Sequence, residues 1–237
     1  MEIIRDSLIR GAKRAQGVTI IIDVFRAFTV TPLLFHYGAQ KVIFVSTADE
    51  AFSLKSWQND IVLAGEVDEQ MIPGFDFGNS PSELIKKSTG FLELKTVVQR
   101  TTAGVIGVLE AVDQAELVIL GSYVMAHAIS RFILSQNPLP DIVSIVAMGS
   151  RGDAHSPEDE GCADYLEHLL TGRPYDHLKS LKHIAFHEAA QKFIRGDKPY
   201  LPREDPLICL QRDLFNFVLI AGREDGLIVV TRRDFFE

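Results

Sequence analysis

Residues 17–24 read GVTIIIDV, a run of β-branched side chains that ends in an acid. Its valine and isoleucine residues are nearly continuous, whereas a strand with one solvated face alternates apolar and polar side chains. The run therefore indicates a strand buried on both faces, as in a parallel sheet. Five later stretches follow the same pattern: 41–46 (KVIFVS), 60–66 (DIVLAGE), 95–101 (KTVVQRT), 115–122 (AELVILGS) and 141–150 (DIVSIVAMGS).

Helix-like segments separate the predicted strands, over residues 31–37, 48–57, 80–88, 103–113 and 123–135. This alternation predicts a layered α/β/α fold around a mainly parallel sheet. From residue 158 the order changes to helices at 158–171, 178–195 and 204–213, and then to two strands, FNFVLIAG and GLIVVTR, whose short connection indicates a C-terminal β-hairpin. We expect one compact unit over residues 1–237, and the change near 140–155 leaves open a boundary between two α/β lobes.

Composition and charge exclude several classes of protein. The 237 residues are 46% hydrophobic and 24% charged, which is typical of a globular chain. A formal net charge of −8, with Lys and Arg scattered along the chain, argues against nucleic acid as a partner. No apolar run approaches the roughly 18 residues of a membrane span. The first residues lack the order of a signal peptide, and two cysteines are too few for a disulfide scaffold, so we expect a cytoplasmic protein. The apolar content is compatible with a homodimer.

Polar side chains follow four of the predicted strands. Asp23 and Arg26 follow the first strand, Glu66 ends the third, Thr101 and Thr102 follow the fourth, and SRGDAHSPEDEGC follows the sixth. Open parallel sheets bind ligands beyond the carboxyl ends of their strands, so these ends are candidates for one site. Each residue also has a structural interpretation: Asp23 as a turn residue, Arg26 in a surface ion pair, and a threonine as helix N-cap. The turn that leads to Gly104 also offers backbone N–H groups to a phosphate.

The loop PGFDFGNSPSEL, residues 73–84, places an acid, an amide and a hydroxyl close together before a helix. Asp76, Asn79 and Ser80 could therefore belong to a site. The competing interpretation is a helix N-terminus, with Asn79 or Ser80 as N-cap, Pro81 in the first turn and Glu83 completing a capping box. We expect the helix cap under either interpretation.

The segment SPEDEGC, residues 156–162, also has two interpretations. Ser156 fits an N-cap, and an acid three residues later resembles a capping box. Alternatively, Glu158 and Asp159 bind a divalent cation, since Mg²⁺ needs only one or two carboxylates beside waters and substrate phosphate. Cys162 is expected to face the core. His183 and His187 lie four residues apart, a spacing that suits either a metal site or a solvated helix face.

Taken in order, four segments resemble the 2-phosphosulfolactate phosphatase family of coenzyme M biosynthesis: IIDVFRAFT, GEVDEQMIPGFDFGNSPSE, QRTTAG and SRGDAHSPEDEGCADYL. The resemblance covers most of residues 20–170. It implies an α/β fold and Mg²⁺-dependent hydrolysis of a small anionic phosphate monoester. Asp23, Arg26 and Asp76 are then the catalytic candidates. Candidate substrate-binding residues are Asn79, Ser80, Thr101, Thr102 and Gly104. Candidate metal ligands are Glu66, Glu158 and Asp159.

This sequence departs from the family pattern at three places. Ala103 stands where the family usually has asparagine after the two threonines, VDEQ at 67–70 replaces glycines near Glu66, and Asp164 replaces a small residue. The alternative function is therefore a catalytically inactive paralogue that binds a phosphorylated or sulfonated metabolite. Retention of Asp23, Arg26, Asp76 and the acidic cluster at 158–160 favours the enzyme.

Overall fold

The computed structural model describes residues 1–57, 60–87 and 90–234. The strands in this part of the chain are β1 (Glu2–Ser7), β2 (Val18–Ile22), β3 (Lys41–Phe44), β4 (Ile61–Val67), β5 (Gln70–Met71), β6 (Thr96–Arg100), β7 (Leu117–Gly121), β8 (Ile142–Ala147), β9 (Phe217–Glu224) and β10 (Leu227–Asp234). The helices are α1 (Leu8–Ala12), α2 (Ala27–His36), α3 (Ala48–Trp57), α4 (Pro81–Lys87), α5 (Gly104–Ala111), α6 (Ala126–Leu134), α7 (Pro157–Thr171), α8 (His177–Phe186), α9 (Glu188–Ile194) and α10 (Asp205–Cys209). A 3₁₀ helix, Tyr123–Met125, precedes α6.

The described strands form one sheet in the order β1-β8-β2-β7-β9-β10-β3-β6-β4-β5. Strands β1, β8, β2 and β7 form one parallel group, and β3, β6 and β4 form another. The C-terminal hairpin of β9 and β10 pairs antiparallel with β7 on one side and β3 on the other, so it joins the two groups. The mainly parallel α/β sheet and the hairpin are confirmed, and the hairpin lies inside the sheet.

All six strands predicted from apolar runs are present. Ile20, Ile21 and Ile22 of β2 are completely buried, and because successive side chains point to opposite faces, both faces of this strand are covered. Helix α5 packs on β2 and β7, α7 on β8 and β2, and α3 on β4 and β6. The single compact unit over residues 1–237, with its alternative boundary near 140–155, stays a prediction.

The N-terminal strand β1 was not predicted. It pairs with β8 from Glu2 opposite Ile142 to Ser7 opposite Ala147. The strand is at the sheet edge and only partly buried, and charged side chains interrupt its apolar run. An edge strand does not need the continuous apolar pattern that identifies strands covered on both faces.

Three helix predictions require correction. The single helix predicted at 178–195 is two helices, because His187 is extended (φ −83°, ψ 153°) and its side chain accepts a hydrogen bond from the Ala189 N–H, which caps α9. The helix predicted at 204–213 is the shorter α10. The segment 123–135 begins as a 3₁₀ turn. Residue 88, at the end of the predicted helix 80–88, lies outside the described residues. No helix in the described ranges is long and apolar enough to cross a membrane.

Candidate active site

A cleft of about 330 Å³ opens where the ends of β2, β4, β6 and β8 meet. The four polar strand ends noted in the sequence all contribute to it. Helix α9 and the turn between β4 and β5 complete the walls. The lining residues are Asp23, Phe25, Arg26, Glu66, Asp68, Glu69, Asn79, Thr102, Ala103, Gly149, Ser150, Arg151, Ser156, Glu158, Lys192 and Phe193.

Asp23 is buried in the cleft wall at the end of β2. Its Oδ1 accepts the N–H of Ala27 at 3.1 Å, and its Oδ2 accepts the N–H of Gly104 at 2.7 Å. Burial, followed by the charge of Glu66, raises the pKa of Asp23 to about 6, while the backbone N–H groups of Ala27 and Gly104 and the charge of Arg26 act in the opposite direction. The Gly104 N–H, a predicted phosphate donor, is therefore committed to Asp23. It joins the N-terminus of α5 to the catalytic candidate.

Glu158 lies in the first turn of α7, and its side chain faces the cleft. Burial and the charge of Asp23 raise the pKa of Glu158 to about 7, while its own backbone N–H, the charge of Lys192 and a hydrogen bond with Ser156 act in the opposite direction. Its buried Oε2 has no hydrogen-bond partner in the described residues. Native proteins rarely leave a buried carboxylate oxygen unsatisfied, so this atom is available to a ligand.

Asp159, the next residue, has a different role from the one predicted by the capping box. Its Oδ1 accepts the Val24 N–H and its Oδ2 accepts the Gly149 N–H, each at 2.7 Å. Burial and the neighbouring charges of Glu158 and Asp23 raise the pKa of Asp159. Ser156 precedes α7 but makes no side-chain cap. Asp159 does not line the cleft; it fastens the loops after β2 and β8 together.

Glu66 and Thr102 form a hydrogen-bonded pair across the ends of β4 and β6. Glu66 accepts the Thr102 N–H at 2.6 Å and the Thr102 hydroxyl at 3.0 Å. It also accepts the Glu69 N–H at 2.6 Å. Both lie in the cleft wall. Thr101 points elsewhere and accepts the Val105 N–H at 3.2 Å. The N-cap position of α5 is Ala103, so the predicted threonine N-cap is wrong, although the Thr101 hydroxyl satisfies one N–H of the first turn.

Arg26 lines the cleft from a buried ion pair. Its Nη1 donates to Asp205 Oδ2 at 3.0 Å and to the Tyr200 carbonyl at 3.2 Å, and its Nη2 donates to the Glu69 carbonyl at 3.0 Å. Asp205 also accepts the hydroxyl of Ser80 at 2.8 Å. Ser80 accepts the Glu83 N–H at 3.2 Å, so the predicted N-cap of α4 is Ser80 and not its neighbour. The surface ion pair proposed for Arg26 with Asp23 is replaced by this internal one.

The two other site candidates in the loop 73–84, Asn79 and Asp76, lie in different places. Asn79 is buried in the cleft wall, and its Oδ1 has no partner in the described residues. Asp76 is not in the cleft wall: its Oδ2 accepts the Leu63 N–H at 2.8 Å and the ammonium of Lys55 at 2.6 Å. Asp76 therefore ties the loop to strand β4 and helix α3.

Comparison with known proteins identifies the family. The model of the 2-phosphosulpholactate phosphatase family matches residues 4–222. A probable 2-phosphosulfolactate phosphatase of Bacillus subtilis is 31% identical over 217 residues, which is 91% of each chain. One from Deinococcus radiodurans is 36% identical over 153 residues, 65% of this chain and 62% of the relative. One from Clostridium perfringens strain 13 is 32% identical over 196 residues, 77% and 74% of the two chains.

The chain belongs to the 2-phosphosulfolactate phosphatase family. It is therefore a phosphoric monoester hydrolase of the α/β class. The resemblance noted in the sequence is confirmed, and the match extends into the C-terminal hairpin. Of the family departures, Ala103 lines the cleft, whereas Asp164 is exposed and pairs with Arg5 at 2.9 Å.

Two cations of this cleft were not predicted as site residues. Lys192, on α9, contacts Glu69, and Arg151, after β8, contacts Asp68 at 3.1 Å. Both line the cleft. Arg151 could have been found, because it follows a buried strand. Nothing in the sequence around Lys192 distinguishes it from other lysines on solvated helices.

A larger cleft of about 910 Å³ lies between α7 and α8 and shares Ser156 with the 330 Å³ cleft. His183 and His187 line it, with ring centroids 6.2 Å apart. Among residues 1–57, 60–87 and 90–234, no three His, Cys, Asp or Glu side chains form a group that could hold a metal ion, here or in the smaller cleft. Cys162 is completely buried, as expected for a core residue.

Proposed function

We propose that the protein hydrolyses 2-phosphosulfolactate to 3-sulfolactate and phosphate with the help of Mg²⁺. The observation that carries the proposal is the composition of the 330 Å³ cleft. Two buried oxygens without partners in the described residues, Glu158 Oε2 and Asn79 Oδ1, share this cleft with the cationic side chains of Arg26, Arg151 and Lys192. Unsatisfied oxygens suit a cation, and the cationic side chains suit a substrate with several negative charges.

The donor set of the cleft fits one magnesium ion with few protein ligands. Mg²⁺ prefers hard oxygens and commonly uses one or two carboxylates, with waters and substrate phosphate in the remaining positions. Glu158 Oε2 and Asn79 Oδ1 are the oxygens that would hold it, with Asp23 as the second carboxylate. Glu66 already accepts three hydrogen bonds, and Asp159 holds two backbone N–H groups outside the cleft wall. When bound, the ion would neutralise charge on the phosphoryl oxygens.

Asp23 is the group that we place beside phosphorus. Its pKa of about 6 leaves it mainly ionised at neutral pH, so it can accept a proton from an attacking water or attack phosphorus itself. In either case the bond between phosphorus and the ester oxygen breaks, the departing oxygen takes up a proton and becomes the hydroxyl group of 3-sulfolactate, and a water oxygen ends on the phosphate. The N–H groups of Ala27 and Gly104 hold the carboxylate in one orientation.

Arg26 retains hydrogen-bonding capacity for substrate. A guanidinium carries five N–H donors, and three are used by Asp205, Tyr200 and Glu69. The remaining donors and the fixed positive charge can act on a phosphate oxygen. Because Asp205 holds the side chain in place, Arg26 would be oriented before substrate arrives.

The test is phosphate release from 2-phosphosulfolactate, with phospholactate and phenyl phosphate for comparison, in Mg²⁺ and in EDTA. We expect turnover that requires Mg²⁺ and falls by about 10²- to 10⁴-fold in Asp23→Asn, because removing a group that acts on the reacting atoms costs this much. Calorimetric titration with Mg²⁺ should show weaker binding by Glu158→Gln, a measurement that does not depend on turnover.

Two results would contradict the proposal. Turnover that persists in EDTA would remove the metal from the function. Absence of turnover on all three esters, with thermal stabilisation by phospholactate retained, would instead favour the inactive binding paralogue. Ala103→Asn would then be the first reversion to examine, since Ala103 lies in the cleft wall.

A further inference from the structure

We propose that Lys192 and Arg151 bind an anionic group of the substrate other than its phosphate, and that Asp68 and Glu69 occupy these two cations until such a substrate displaces them. The inference deepens the proposed function, on which its choice of substrate rests. Asp68 and Glu69 then disfavour phosphate esters that have no anionic group besides the phosphate, because such esters cannot displace the two acids from the cations. The carboxylate and the sulfonate of phosphosulfolactate offer the same chemistry to the two cations.

The two acids stand at backbone positions that normally favour glycine. Val67 pairs with Gln70, so Asp68 and Glu69 are the central residues of a two-residue hairpin turn between β4 and β5. Both have positive φ, 50° and 70°. Such turns usually have asparagine, aspartate or glycine first and glycine second, so Asp68 is ordinary at its position and Glu69 is the unusual residue. The contact of the Glu69 carboxylate with Lys192 gives a reason for its presence.

Residues of the active site hold this turn at the cleft. The Glu69 N–H donates to Glu66 at 2.6 Å, and the Asp68 N–H donates to the Thr102 hydroxyl at 3.3 Å. The Glu69 carbonyl accepts from Arg26 at 3.0 Å. The turn is therefore fixed by its backbone to groups inside the site, which leaves both acidic side chains to contact cations across the cleft.

The two cations come from distant parts of the chain and meet the acids in different environments. Lys192 contacts Glu69 from α9, and its side chain is 23% exposed. Arg151 contacts Asp68 at 3.1 Å from the loop after β8 and is 65% exposed. The pair of Arg151 with Asp68 is exposed and contributes little stability, so Asp68 can be exchanged for another anion at small cost. The pair of Lys192 with Glu69 is partly buried, and a substrate anion that replaces Glu69 keeps the ammonium paired.

The third cation of the cleft differs. Arg26 is 4% exposed and bound to a completely buried acid, Asp205, so exchanging its partner would leave a buried charge. The ring of Phe193 lies 5.4 Å from both the Arg26 guanidinium and the Lys192 ammonium, which places these two cations on one part of the wall. A fixed cation thus stands beside an exchangeable one, an arrangement suited to a phosphate with an adjacent anionic group.

The consequence is selectivity for substrates with several anionic groups. A substrate with a carboxylate or sulfonate can replace Glu69 on Lys192, and Asp68 on Arg151, by charge-assisted hydrogen bonds. An ester whose only charge is its phosphate leaves the cations paired and meets two additional carboxylates at the cleft. Discrimination then comes both from the new contacts and from the repulsion by the acids.

The experiment compares kcat/KM for 2-phosphosulfolactate and phenyl phosphate in wild type, Lys192→Met and Glu69→Gln. Lys192→Met should reduce the preference for phosphosulfolactate by about ten- to hundredfold, the range for losing a hydrogen bond to a charged group. Glu69→Gln should lower KM for phosphosulfolactate by about two- to fivefold, because the competing carboxylate is gone. Lys13 and Glu110, a pair at 3.7 Å outside the cleft wall, supply the matched controls Lys13→Met and Glu110→Gln, in which the preference should not change.

Equal losses on both esters in Lys192→Met, or a higher KM for phosphosulfolactate in Glu69→Gln, would overturn the inference. Calorimetric binding of 3-sulfolactate, which lacks the phosphate, separates it from the proposed function. Sulfolactate binding that weakens about tenfold in Lys192→Met supports the inference even if no ester is hydrolysed. Normal hydrolysis of phosphosulfolactate with sulfolactate binding insensitive to Lys192→Met would refute the inference alone.

Discussion

Glu158 in the cleft wall and Asp205 beside Arg26 are both buried carboxylates, and their surroundings are opposite. Asp205 accepts from Arg26 at 3.0 Å, from the Ser80 hydroxyl at 2.8 Å, and from the hydroxyl and N–H of Ser82 at 2.6 and 3.1 Å. Glu158 has one oxygen with no partner among the described residues, and burial and the charge of Asp23 raise its pKa. The comparison shows that burial alone does not identify a functional acid.

The difference follows from what each acid must do. A charge removed from water is tolerated when partners replace the lost solvation, and the Asp205 cluster supplies four donors for this purpose. A group that receives a ligand must keep an atom free, and the protein then bears the desolvation until the ligand binds. We therefore assign the Asp205 cluster to positioning Arg26 and α4, and Glu158 to the ligand.

The largest effect on stability is expected when the paired cluster is broken. Asp205→Asn removes the charge opposite Arg26, which is itself 4% exposed, and should lower the free energy of unfolding by about 3–5 kcal/mol. Urea unfolding measures the loss. The control is Asp113→Asn, which breaks the exposed pair with Arg223 at 2.6 Å and should leave the urea midpoint unchanged. A loss no larger in Asp205→Asn than in the control would show that the cluster is not structural.

Neutralising Glu158, whose Oε2 has no partner in the described residues, should instead raise the stability of the protein at high pH. The pKa of Glu158 is raised from 4.5 to about 7 in the folded protein, so the folded state holds its proton more tightly than the unfolded state. The corresponding stability is complete below pH 4.5 and is lost as the pH rises through about 7. In EDTA, Glu158→Gln should therefore match wild type near pH 5 and exceed it at pH 8 by up to about 3 kcal/mol.

Urea unfolding at the two pH values checks this prediction, with Glu110→Gln on α5 as the control for a half-exposed glutamate. The stability difference between Glu158→Gln and wild type could instead be the same at pH 5 and pH 8. That result would show that burial of the ionised Glu158 carboxylate does not destabilise the protein. A lower stability of the variant at pH 8 would mean that the Glu158 carboxylate is stabilised by more than the Ser156 hydrogen bond and the Lys192 charge, and the contrast with Asp205 would disappear.

Much of the fold could be predicted because a strand that is buried on both faces has a nearly continuous run of apolar residues. Strand β2 has three consecutive isoleucines, and similar apolar runs located five other strands, β3, β4, β6, β7 and β8. Strand β1 lacks such a run, because an edge strand is less buried than the strands inside the sheet. The break at His187 depends on a cap formed by one ring nitrogen, which helical periodicity does not reveal.

The site was only partly predictable, for a related reason. Strand ends located Asp23, Glu66, Thr102 and Glu158 in the cleft, since the topology of parallel strands fixes where those ends lie. The contact between Lys192 and Glu69 spans 123 positions in the chain, and that between Ser80 and Asp205 spans 125. Such pairings depend on how helices after residue 157 pack, and local pattern contains no information about them. Asp76 resembled a site acid for the same reason: its partner Lys55 could not be inferred.

A substitution at Gly104, where α5 contacts Asp23, should have a smaller effect on stability than Asp205→Asn and should affect activity more than stability. A Cβ added at Gly104 would lie 2.6 Å from Asp23 Oδ2 and 2.8 Å from its Cβ. Gly104→Ala should therefore displace the carboxylate, with a loss of stability of about 1–3 kcal/mol and a larger proportional loss of phosphate release. Gly222→Ala in β9 is the control, since its Cβ would meet nothing within 4 Å. Full activity in Gly104→Ala would show that the position of Asp23 is not critical.

The smallest expected effects concern two neighbouring residues, of which Ser80 belongs to the Asp205 cluster and Asn79 to the ligand site with Glu158. Ser80 caps α4 and donates to Asp205, whereas Asn79 lines the cleft with an unpartnered Oδ1. Ser80→Ala should lower the free energy of unfolding by about 1–2 kcal/mol, because it removes a cap and a hydrogen bond to a charge. Asn79→Ala should leave stability nearly unchanged, since no hydrogen bond to Oδ1 is lost, and should reduce phosphate release. Urea unfolding and phosphate release, measured on both variants, check the pair. If Asn79→Ala costs as much stability as Ser80→Ala, its amide oxygen has a structural partner, and a free buried oxygen no longer separates the ligand site from the scaffold.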